Sequence, residues 1–263
     1  MFREYLTRWQ LTPDGDPIVT PNSRLLPVRQ QGLPAMLKLA IEPEEQQGNR
    51  LMVWWNGEGA ARVLAQEGDA ILLERATGKR SLAAMARSGQ DDEASRILCA
   101  VVARLHEPRS DPPADLIPLT LRFSELESAA GQGGVLTLSA AAARDLLLDP
   151  RDEGVLHGDI HHGNVLDFGQ RGWLAIDPKG LIGERGFDYA NIFCNPNYAT
   201  ATAAGRLTRQ LAVIAEAAGL ERRRLLQWCL AWAGLSAVWS LNEDLPPDTA
   251  LAVAEIAAAE LGR

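Results

Sequence analysis

The fourteen residues VLHGDIHHGNVLDF, at positions 155–168, contain three of the chain's four histidines, two aspartates and an asparagine. Four of these side chains are of types that bind zinc: His157, Asp159, His161 and His162. However, the run lacks the order of the metal-hydrolase motifs HExxH and HxHxDH. Gly158 and Gly163 also favour a tight backbone turn over a rigid helix that carries ligands. Zinc-dependent hydrolysis is therefore the weaker hypothesis for this segment.

The same residues follow the order H-G-D-x-x-x-x-N, which is the pattern of a kinase catalytic loop with Gly in place of Arg. Phosphoryl transfer from ATP requires a carboxylate that accepts or orients the acceptor hydroxyl, and oxygen ligands for Mg²⁺. Asp159 fits the first requirement and Asn164 fits the second. A further acidic ligand is expected after a short hairpin, and AIDPKG places Asp177 thirteen residues beyond Asn164. Lys179 in the same segment could contact a phosphate group, but a solvated turn lysine is the favoured interpretation.

The upstream part of the chain contains the other groups that a kinase needs. AMLKLA places Lys38 on an apolar strand, where an unpaired charge would be costly, and predicts that it holds the α- and β-phosphates. Glu44 and Glu45 both open the following helix, and spacing alone does not choose between them as the partner of Lys38; Glu45 is favoured. The strand AILLERATG is placed to be the hinge between two lobes, with the backbone of Glu74 and Ala76 bonded to adenine.

The elements that must position these residues divide the chain into two parts. Residues 17–41 predict two strands, residues 42–55 a helix, and residues 61–78 two more short strands. From residue 91 onward the apolar spacing is mostly helical, with helices predicted near 91–107, 140–150, 203–218, 221–241 and 248–262. We therefore expect an α+β, bilobal protein-kinase-like fold. Its small β-rich nucleotide-binding lobe is residues 1–76, and its larger helical lobe for catalysis and substrate binding is residues 77–263.

Composition limits the classes of partner. Of the 263 residues 46% are hydrophobic and 23% charged, which is typical of a soluble globular enzyme. A net charge of -8 disfavours nucleic acid and anionic membranes and suits a cationic small molecule. The three cysteines form no CxxC pair, the start has no apolar signal segment, and the longest apolar run, residues 229–241, is too short to cross a bilayer. A cytoplasmic monomer is expected.

Beyond the catalytic motif, further segments resemble the aminoglycoside phosphotransferases: LPVRQ, PAMLK, WWNGEGAARV, HGDIHHGNVLDFG, RGWLAIDPKGLIGER and FDYANIF. They look most similar to the streptomycin 6-phosphotransferase branch of the aminoglycoside/hydroxyurea antibiotic resistance kinases. The resemblance covers nearly the whole chain and weakens around 115–150, 197–225 and the C-terminus. It implies a kinase that uses ATP and Mg²⁺ to phosphorylate the 6-hydroxyl of streptomycin's streptidine ring and so confers resistance. It also suggests that Ser23, in the glycine-free turn TPNSRL, contacts the phosphates.

Streptomycin carries two guanidinium groups, which carboxylates can bind bidentately and aromatic faces can stack. The candidate acceptor residues lie in the helical lobe: Glu184, Asp188, Glu243, Asp244, Trp228, Trp232 and Trp239. Asp188 is also expected to accept backbone amide bonds from the catalytic loop. The helical spacing of the tryptophans is equally typical of a buried core stripe.

Two alternatives stay open at this stage. The first keeps the same chemistry but changes the acceptor to another cyclitol, hydroxyurea or a host metabolite, because the motif determines the donor end only. The second is a non-catalytic pseudokinase that binds nucleotide and acts through partners. The presence of Lys38, Asp159, Asn164 and Asp177 together argues against it.

Overall fold

β-Branched and apolar residues dominate the first part of the chain, and they form one antiparallel sheet in the computed structural model, which describes residues 1–262. Its strands are β1 (Leu11–Pro13), β2 (Ile18–Val19), β3 (Ser23–Gln30), β4 (Leu33–Ala40), β5 (Val63–Glu67) and β6 (Ala70–Glu74). They lie in the order β1-β3-β4-β6-β5, with β2 paired to β3. Helix α1 (Arg3–Arg8) packs Tyr5 and Leu6 against the core of this sheet, and the flanking residues Phe2 and Trp9 pack there as well.

The register of β4 sets the position of Lys38. Gln31 and Gly32 link β3 to β4 with positive φ angles of 50° and 81°, as a two-residue type I′ hairpin turn requires. Lys38 then lies on a central strand, between Leu25 of β3 and Ile71 of β6. Leu37 is buried in the sheet core. Because successive side chains alternate along a strand, Lys38 points to the opposite face of the sheet. That opposite face looks toward the second half of the chain.

Helix α2 (Pro43–Trp55) connects the two halves of the molecule. A proline in its first turn, followed by two glutamates, suits a helix N-terminus, and Asn56 ends the helix in the left-handed conformation. Its buried residues Leu51, Met52 and Trp55 belong to the large core of the second half and not to the sheet core. A division of the chain at residue 76 therefore follows the end of the sheet but not the packing of α2, and it stays a prediction.

The second half is mainly helical. Its helices are α3 (Leu82–Arg87), α4 (Asp91–Leu105), α5 (Leu119–Arg122), α6 (Ser124–Ala129), α7 (Gly134–Leu148), α8 (Phe187–Ala190), α9 (Tyr198–Ala201), α10 (Arg206–Ala218), α11 (Arg222–Asn242) and α12 (Asp248–Leu261). Its strands are β7 (Ile117–Pro118), β8 (Glu153–Leu156), β9 (Val165–Asp167), β10 (Trp173–Ala175) and β11 (Leu181–Glu184). They form the hairpin β9-β10 and a three-stranded sheet in the order β7-β11-β8.

Helix α11 is the centre of this half. It packs against α7 and α12, and its buried residues lie all around its circumference. Gly234 permits the close approach of α7, since a Cβ atom there would lie 2.2 Å from the Cβ of Ser139. No helix within residues 1–262 combines the length and the apolar character needed to cross a membrane.

A buried ion pair joins α4 to α10. Arg206 donates to both carboxylate oxygens of Asp91 at 2.8 and 3.1 Å, and also to the carbonyls of Phe193 and Asn195. Both charged side chains are only 4% exposed. Since removing one partner leaves the other charge buried and unpaired, this contact is costly to break.

We predict that Arg206→Met lowers the free energy of unfolding by about 3–5 kcal/mol, because Asp91 would lose its main partner. Denaturant unfolding measures this value. Arg209→Met is the matched control on the same helix, because Arg209 bonds Asp92 at 3.0 Å and reaches Asp91 only at 3.6 Å, through a side chain that is 57% exposed. Its expected cost is below about 1 kcal/mol. Equal costs for the two variants would contradict the prediction.

Candidate active site

The loop between β8 and β9 is held in place by one buried carboxylate. Asp188 accepts the backbone N–H groups of His157 at 2.9 Å and Gly158 at 2.7 Å, and His106 Nε2 lies 2.8 Å from the same carboxylate. Burial acts to raise the pKa of Asp188, but these partners outweigh it and hold that pKa below its ordinary value. Asp188 is 1% exposed, so the structure corrects its assignment as an acceptor-binding residue: it supports the loop from behind.

Asp159 is anchored through both carboxylate oxygens. Asn191 Nδ2 donates to Oδ1 at 2.9 Å, and Asn164 Nδ2 donates to Oδ2 at 3.0 Å. The buried His157 ring accepts the Asp159 N–H at Nδ1, and its Nε2 lies 2.9 Å from the Ile176 carbonyl, so the ring is neutral with the proton on Nε2. Desolvation also lowers the pKa of His157. The side chain of Asp159 stays partly exposed, which leaves it free to meet a hydroxyl group.

Four charged side chains from three segments form a closed ring. Lys38 pairs with Glu45 and, at 2.5 Å, with Asp177 Oδ1. Lys179 Nζ lies 2.7 Å from Glu45 Oε1 and 3.4 Å from Asp177 Oδ2. We call these four residues the charge ring. Ser23 Oγ donates to Glu45 at 2.9 Å, so the predicted phosphate-binding hydroxyl is bonded to the ring in this state.

The charge ring accounts for the pKa shifts of Asp177 and Lys179. It also shows which glutamate pairs with Lys38 and where the Lys179 side chain lies. Burial would raise the pKa of Asp177, but the two ammonium groups hold it well below its usual range. Burial would lower the pKa of Lys179, but Asp177 and Glu45 raise it. Of the two candidate glutamates, Glu45 lies against Lys38, whereas Glu44 pairs with Arg122. The interpretation of Lys179 as a solvated lysine was wrong, because its side chain is only 13% exposed.

Close backbone approach makes the ring possible. A Cβ atom on Gly48 would lie 2.0 Å from the carbonyl oxygen of Pro178, so α2 can touch the turn after β10 only because residue 48 is glycine. Asp177 adopts the left-handed conformation at φ 61°, which is uncommon for a residue other than glycine. This contact and this turn bring Asp177 and Glu45 to the same pair of lysines.

A cavity of about 600 Å³, the donor cavity, lies between the sheet and the β9-β10 hairpin. Its apolar walls suit a flat aromatic base, and they include Leu25, Met36, Met52, Leu73, Leu166, Phe168 and Ile176. The Ala76 N–H borders the cavity and has no hydrogen-bond partner within the described residues, so it can donate to a ligand. Glu74 also borders the cavity, but its N–H donates to the Arg62 carbonyl and its carboxylate pairs with Arg171.

Asn164 and Asp177, the predicted metal ligands, both border the donor cavity. Asn164 uses its amide nitrogen on Asp159, which leaves its amide oxygen for a cation, and Asp177 supplies carboxylate oxygens. Hard oxygen donors beside a phosphate site fit Mg²⁺, which supplies neutralisation of phosphate charge when it is bound. Within residues 1–262 no three His, Cys, Asp or Glu side chains converge as a metal site.

A second cavity of about 440 Å³, the acceptor cavity, has Asp159 in its wall. Its charged and aromatic lining residues are Glu44, Arg122, Glu125, Asp159, Lys179, Trp232, Trp239 and Glu243. The Arg122 guanidinium lies 4.3 Å from the centre of the Trp239 ring and 2.9 Å from Glu44. Trp239 Nε1 donates to Glu125 at 3.2 Å. Arg122, Glu125 and Asn191 were not predicted, because no local sequence pattern shows that their side chains lie near Asp159 in the folded chain.

The remaining residues that were predicted to bind the acceptor differ in whether they line the acceptor cavity. Trp232 and Glu243 line the acceptor cavity, whereas Asp244 is exposed beside it and is not part of its wall. Glu184 lies at a different, smaller cavity, where it pairs with Arg224 and accepts the indole N–H of Trp228 at 2.7 Å. The structure therefore does not bring Glu184 or Trp228 to Asp159.

The sequence matches the family of aminoglycoside/hydroxyurea antibiotic resistance kinases over residues 8–244. It is 53% identical to streptomycin 3″-kinase from Klebsiella pneumoniae over 243 residues, which cover 90% of this chain and 91% of the relative. Streptomycin 6-kinase from Streptomyces griseus is 31% identical, over 96% of this chain and 85% of its own length. Hydroxyurea phosphotransferase from Kitasatospora aureofaciens is 30% identical, over 96% of this chain and 76% of its own length.

Solved structures with low sequence identity share the fold. An aminoglycoside phosphotransferase in ternary complex with AMP-PNP and hygromycin B is 14% identical, with a TM-score of 0.65 and 99% of each chain covered. Choline kinase from Cryptosporidium parvum is 13% identical, with a TM-score of 0.63 and coverage of 95% of this chain and 90% of its own. The predicted bilobal kinase-like fold is confirmed.

The support that Asp188 gives to the loop should depend on pH. Because its pKa is lower in the folded chain than the value of about 3.9 in an unfolded one, its stabilisation is present above about pH 4 and is lost as pH falls through the folded pKa. Asp188→Asn should lower the free energy of unfolding by on the order of 3 kcal/mol at pH 7. Denaturant unfolding from pH 7 to pH 3 should show the difference from the unmodified chain shrinking.

Asp16→Asn is the control for this series, because Asp16 is exposed. It should follow the unmodified chain at every pH. A deficit for Asp188→Asn that stays constant down to pH 3 would mean that the lost interaction is not that of a charged carboxylate.

Proposed function

Because the chain belongs to the aminoglycoside/hydroxyurea antibiotic resistance kinases, we propose that it transfers the γ-phosphoryl group of ATP to a hydroxyl group of streptomycin. The observation that carries this proposal is the position of Asp159 in the wall of a cavity that combines carboxylates with tryptophans. Such a lining suits a cationic acceptor, since carboxylates bind guanidinium groups bidentately and tryptophan faces stack on them.

The proposed reaction uses the residues on both sides of Asp159. Its carboxylate accepts the proton of the acceptor hydroxyl, while the hydroxyl oxygen forms a bond to the γ-phosphorus. The bond from that phosphorus to the bridging oxygen breaks, and the electron pair leaves on ADP. Asn191 and Asn164 hold the carboxylate in line, and Lys38 binds the α- and β-phosphates. Asn164 and Asp177 are the residues that would hold Mg²⁺.

The acceptor cavity already holds one guanidinium group from the chain itself. Arg122 stacks on Trp239 and pairs with Glu44, which supports recognition of guanidinium groups at this wall. A streptomycin guanidinium group can use the same kinds of contact with Glu125 and Glu243. Hydroxyurea is a second candidate acceptor, favoured by a relative at 30% identity, but it is far smaller than this cavity and has no cationic group.

Two hydroxyl groups of streptomycin, at the 6 and 3″ positions, are candidate acceptors. The segments quoted from the sequence favour the 6-hydroxyl, as does a relative at 31% identity. A relative at 53% identity favours the 3″-hydroxyl, and we infer that this position is the better supported. Phosphorus–proton coupling in the NMR spectrum of the product distinguishes the two esters.

The proposed reaction should show a specific dependence on the acceptor. With Mg-ATP, ADP release should depend on streptomycin and be absent with kanamycin, and hydroxyurea should be a poor acceptor. Asp159→Asn should lower kcat by about 10²–10⁴-fold, because the variant cannot accept the proton, while nucleotide binding is retained. Intact nucleotide binding with no turnover on any of the three compounds would refute the proposed acceptor. It would favour another hydroxyl compound or a non-catalytic role.

Two neighbouring carboxylates on the acceptor side, Glu243 and Asp244, should differ in their effect on streptomycin binding. Glu243→Gln should raise KM for streptomycin by about ten-fold with little change in KM for ATP, because a charge-assisted contact to the acceptor is lost. Asp244→Asn is the matched control, because Asp244 is exposed and outside the cavity wall. Steady-state kinetics with each substrate varied in turn test both variants. Equal effects of the two substitutions would argue against Glu243 as an acceptor contact.

A further inference from the structure

Among the residues that the structure describes, only Asn22 and Lys179 line both the donor cavity and the acceptor cavity. A phosphoryl group that moves from donor to acceptor has to pass the wall that the two cavities share. We propose that Lys179 is a catalytic residue whose ammonium group binds the γ-phosphoryl group during this transfer. The proposal rests on the phosphoryl transfer proposed above, but its test requires no acceptor.

The backbone of Lys179 is fixed to the loop that carries Asp159. Its N–H donates to the His157 carbonyl at 2.7 Å, and a Cβ atom added to Gly158 would lie 3.1 Å from its Cβ. Lys38, in contrast, lies on the sheet across the donor cavity. The two lysines therefore approach the charge ring from opposite sides, with Lys179 on the side of the acceptor.

Lys179 also has capacity for one more partner. An ammonium group has three N–H donors, and the ring uses two of them, on Glu45 Oε1 at 2.7 Å and Asp177 Oδ2 at 3.4 Å. The longer contact with Asp177 is the weaker of the two. A phosphoryl oxygen can therefore bind Lys179 while the Glu45 contact keeps the side chain in place. Because the side chain is largely buried, little solvent screens the interaction.

The chemistry of the transfer favours a cation at this position. In phosphoryl transfer, negative charge spreads over the three equatorial oxygens of the moving group, and fixed cations near them lower the barrier. Lys38 is assigned to the α- and β-phosphates, so its charge does not follow the γ-phosphoryl group to the acceptor. The competing role for Lys179 is to neutralise Glu45 and Asp177 without touching the nucleotide. The two roles differ in whether Lys179 distinguishes a nucleotide with a γ-phosphoryl group from one without it.

The test measures the dissociation constants of ADP and AMP-PNP by calorimetry for the full chain and three variants: Lys179→Met, Lys179→Arg and Lys38→Met. Each titration is run in EDTA and in Mg²⁺. The readout is the ratio of Kd for AMP-PNP to Kd for ADP, which is unaffected by an inactive fraction in a variant. Lys179→Met should raise this ratio by about ten-fold under both conditions, because a charge-assisted bond to the γ-phosphoryl group is lost. Lys179→Arg should keep most of the discrimination.

Lys38→Met is the comparison, because it should weaken both nucleotides and leave the ratio within about two-fold of the unmodified value. An unchanged ratio in Lys179→Met would overturn the proposal and leave Lys179 as a neutralising residue. A change seen only in Mg²⁺ would also overturn it, because Lys179 would then act through Asp177 as a positioning residue. Absence of streptomycin turnover in the unmodified enzyme would refute the proposed acceptor without altering these titrations.

Discussion

The charge ring is the interaction on which the site depends. Lys38, Glu45 and Lys179 are largely withdrawn from water, whereas the Asp177 side chain is 35% exposed, and removing each buried charge from solvent costs several kcal/mol. They are tolerated because each cation contacts both anions, so no charge is left without a partner. The ring requires the sheet, α2 and the turn after β10 to meet within hydrogen-bond distance. The same four side chains therefore shape the donor site and hold the two halves of the molecule together.

The first turn of α2 links the donor side to the acceptor side. Glu45 faces into the charge ring, and its neighbour Glu44 pairs with Arg122 in the wall of the acceptor cavity. The far end of the same helix contacts the catalytic loop, where Trp55 stacks on the ring of His157. Since the apolar face of α2 packs in the large core, a displacement of this helix would disturb both cavities and the catalytic loop together.

The sequence was most informative where chemistry lies in a short, ordered motif. Asp159, Asn164 and Asp177 fall within nineteen residues of one another, and Lys38 was conspicuous as a charge in an apolar strand. The helix boundaries near residues 91, 222 and 248 also followed from apolar periodicity. Helix α1 and the short strands β7, β8 and β11 were not predicted, because segments of two to six residues carry too little periodicity to distinguish them from loops.

The predicted roles of single residues were wrong where burial and long-range pairing determine the role. The charges of Glu184 and Lys179 look equally available in sequence, yet Glu184 is consumed by Arg224 and Trp228, whereas Lys179 is drawn into the charge ring. Glu125 and Arg122 join Glu243 only because α5 and α6 fold against the end of α11. The acceptor wall is therefore assembled from segments that carry no common motif. This division explains how one fold can keep its donor chemistry while its acceptor changes, because α5, α6 and α11 contribute to the acceptor wall but supply no member of the charge ring.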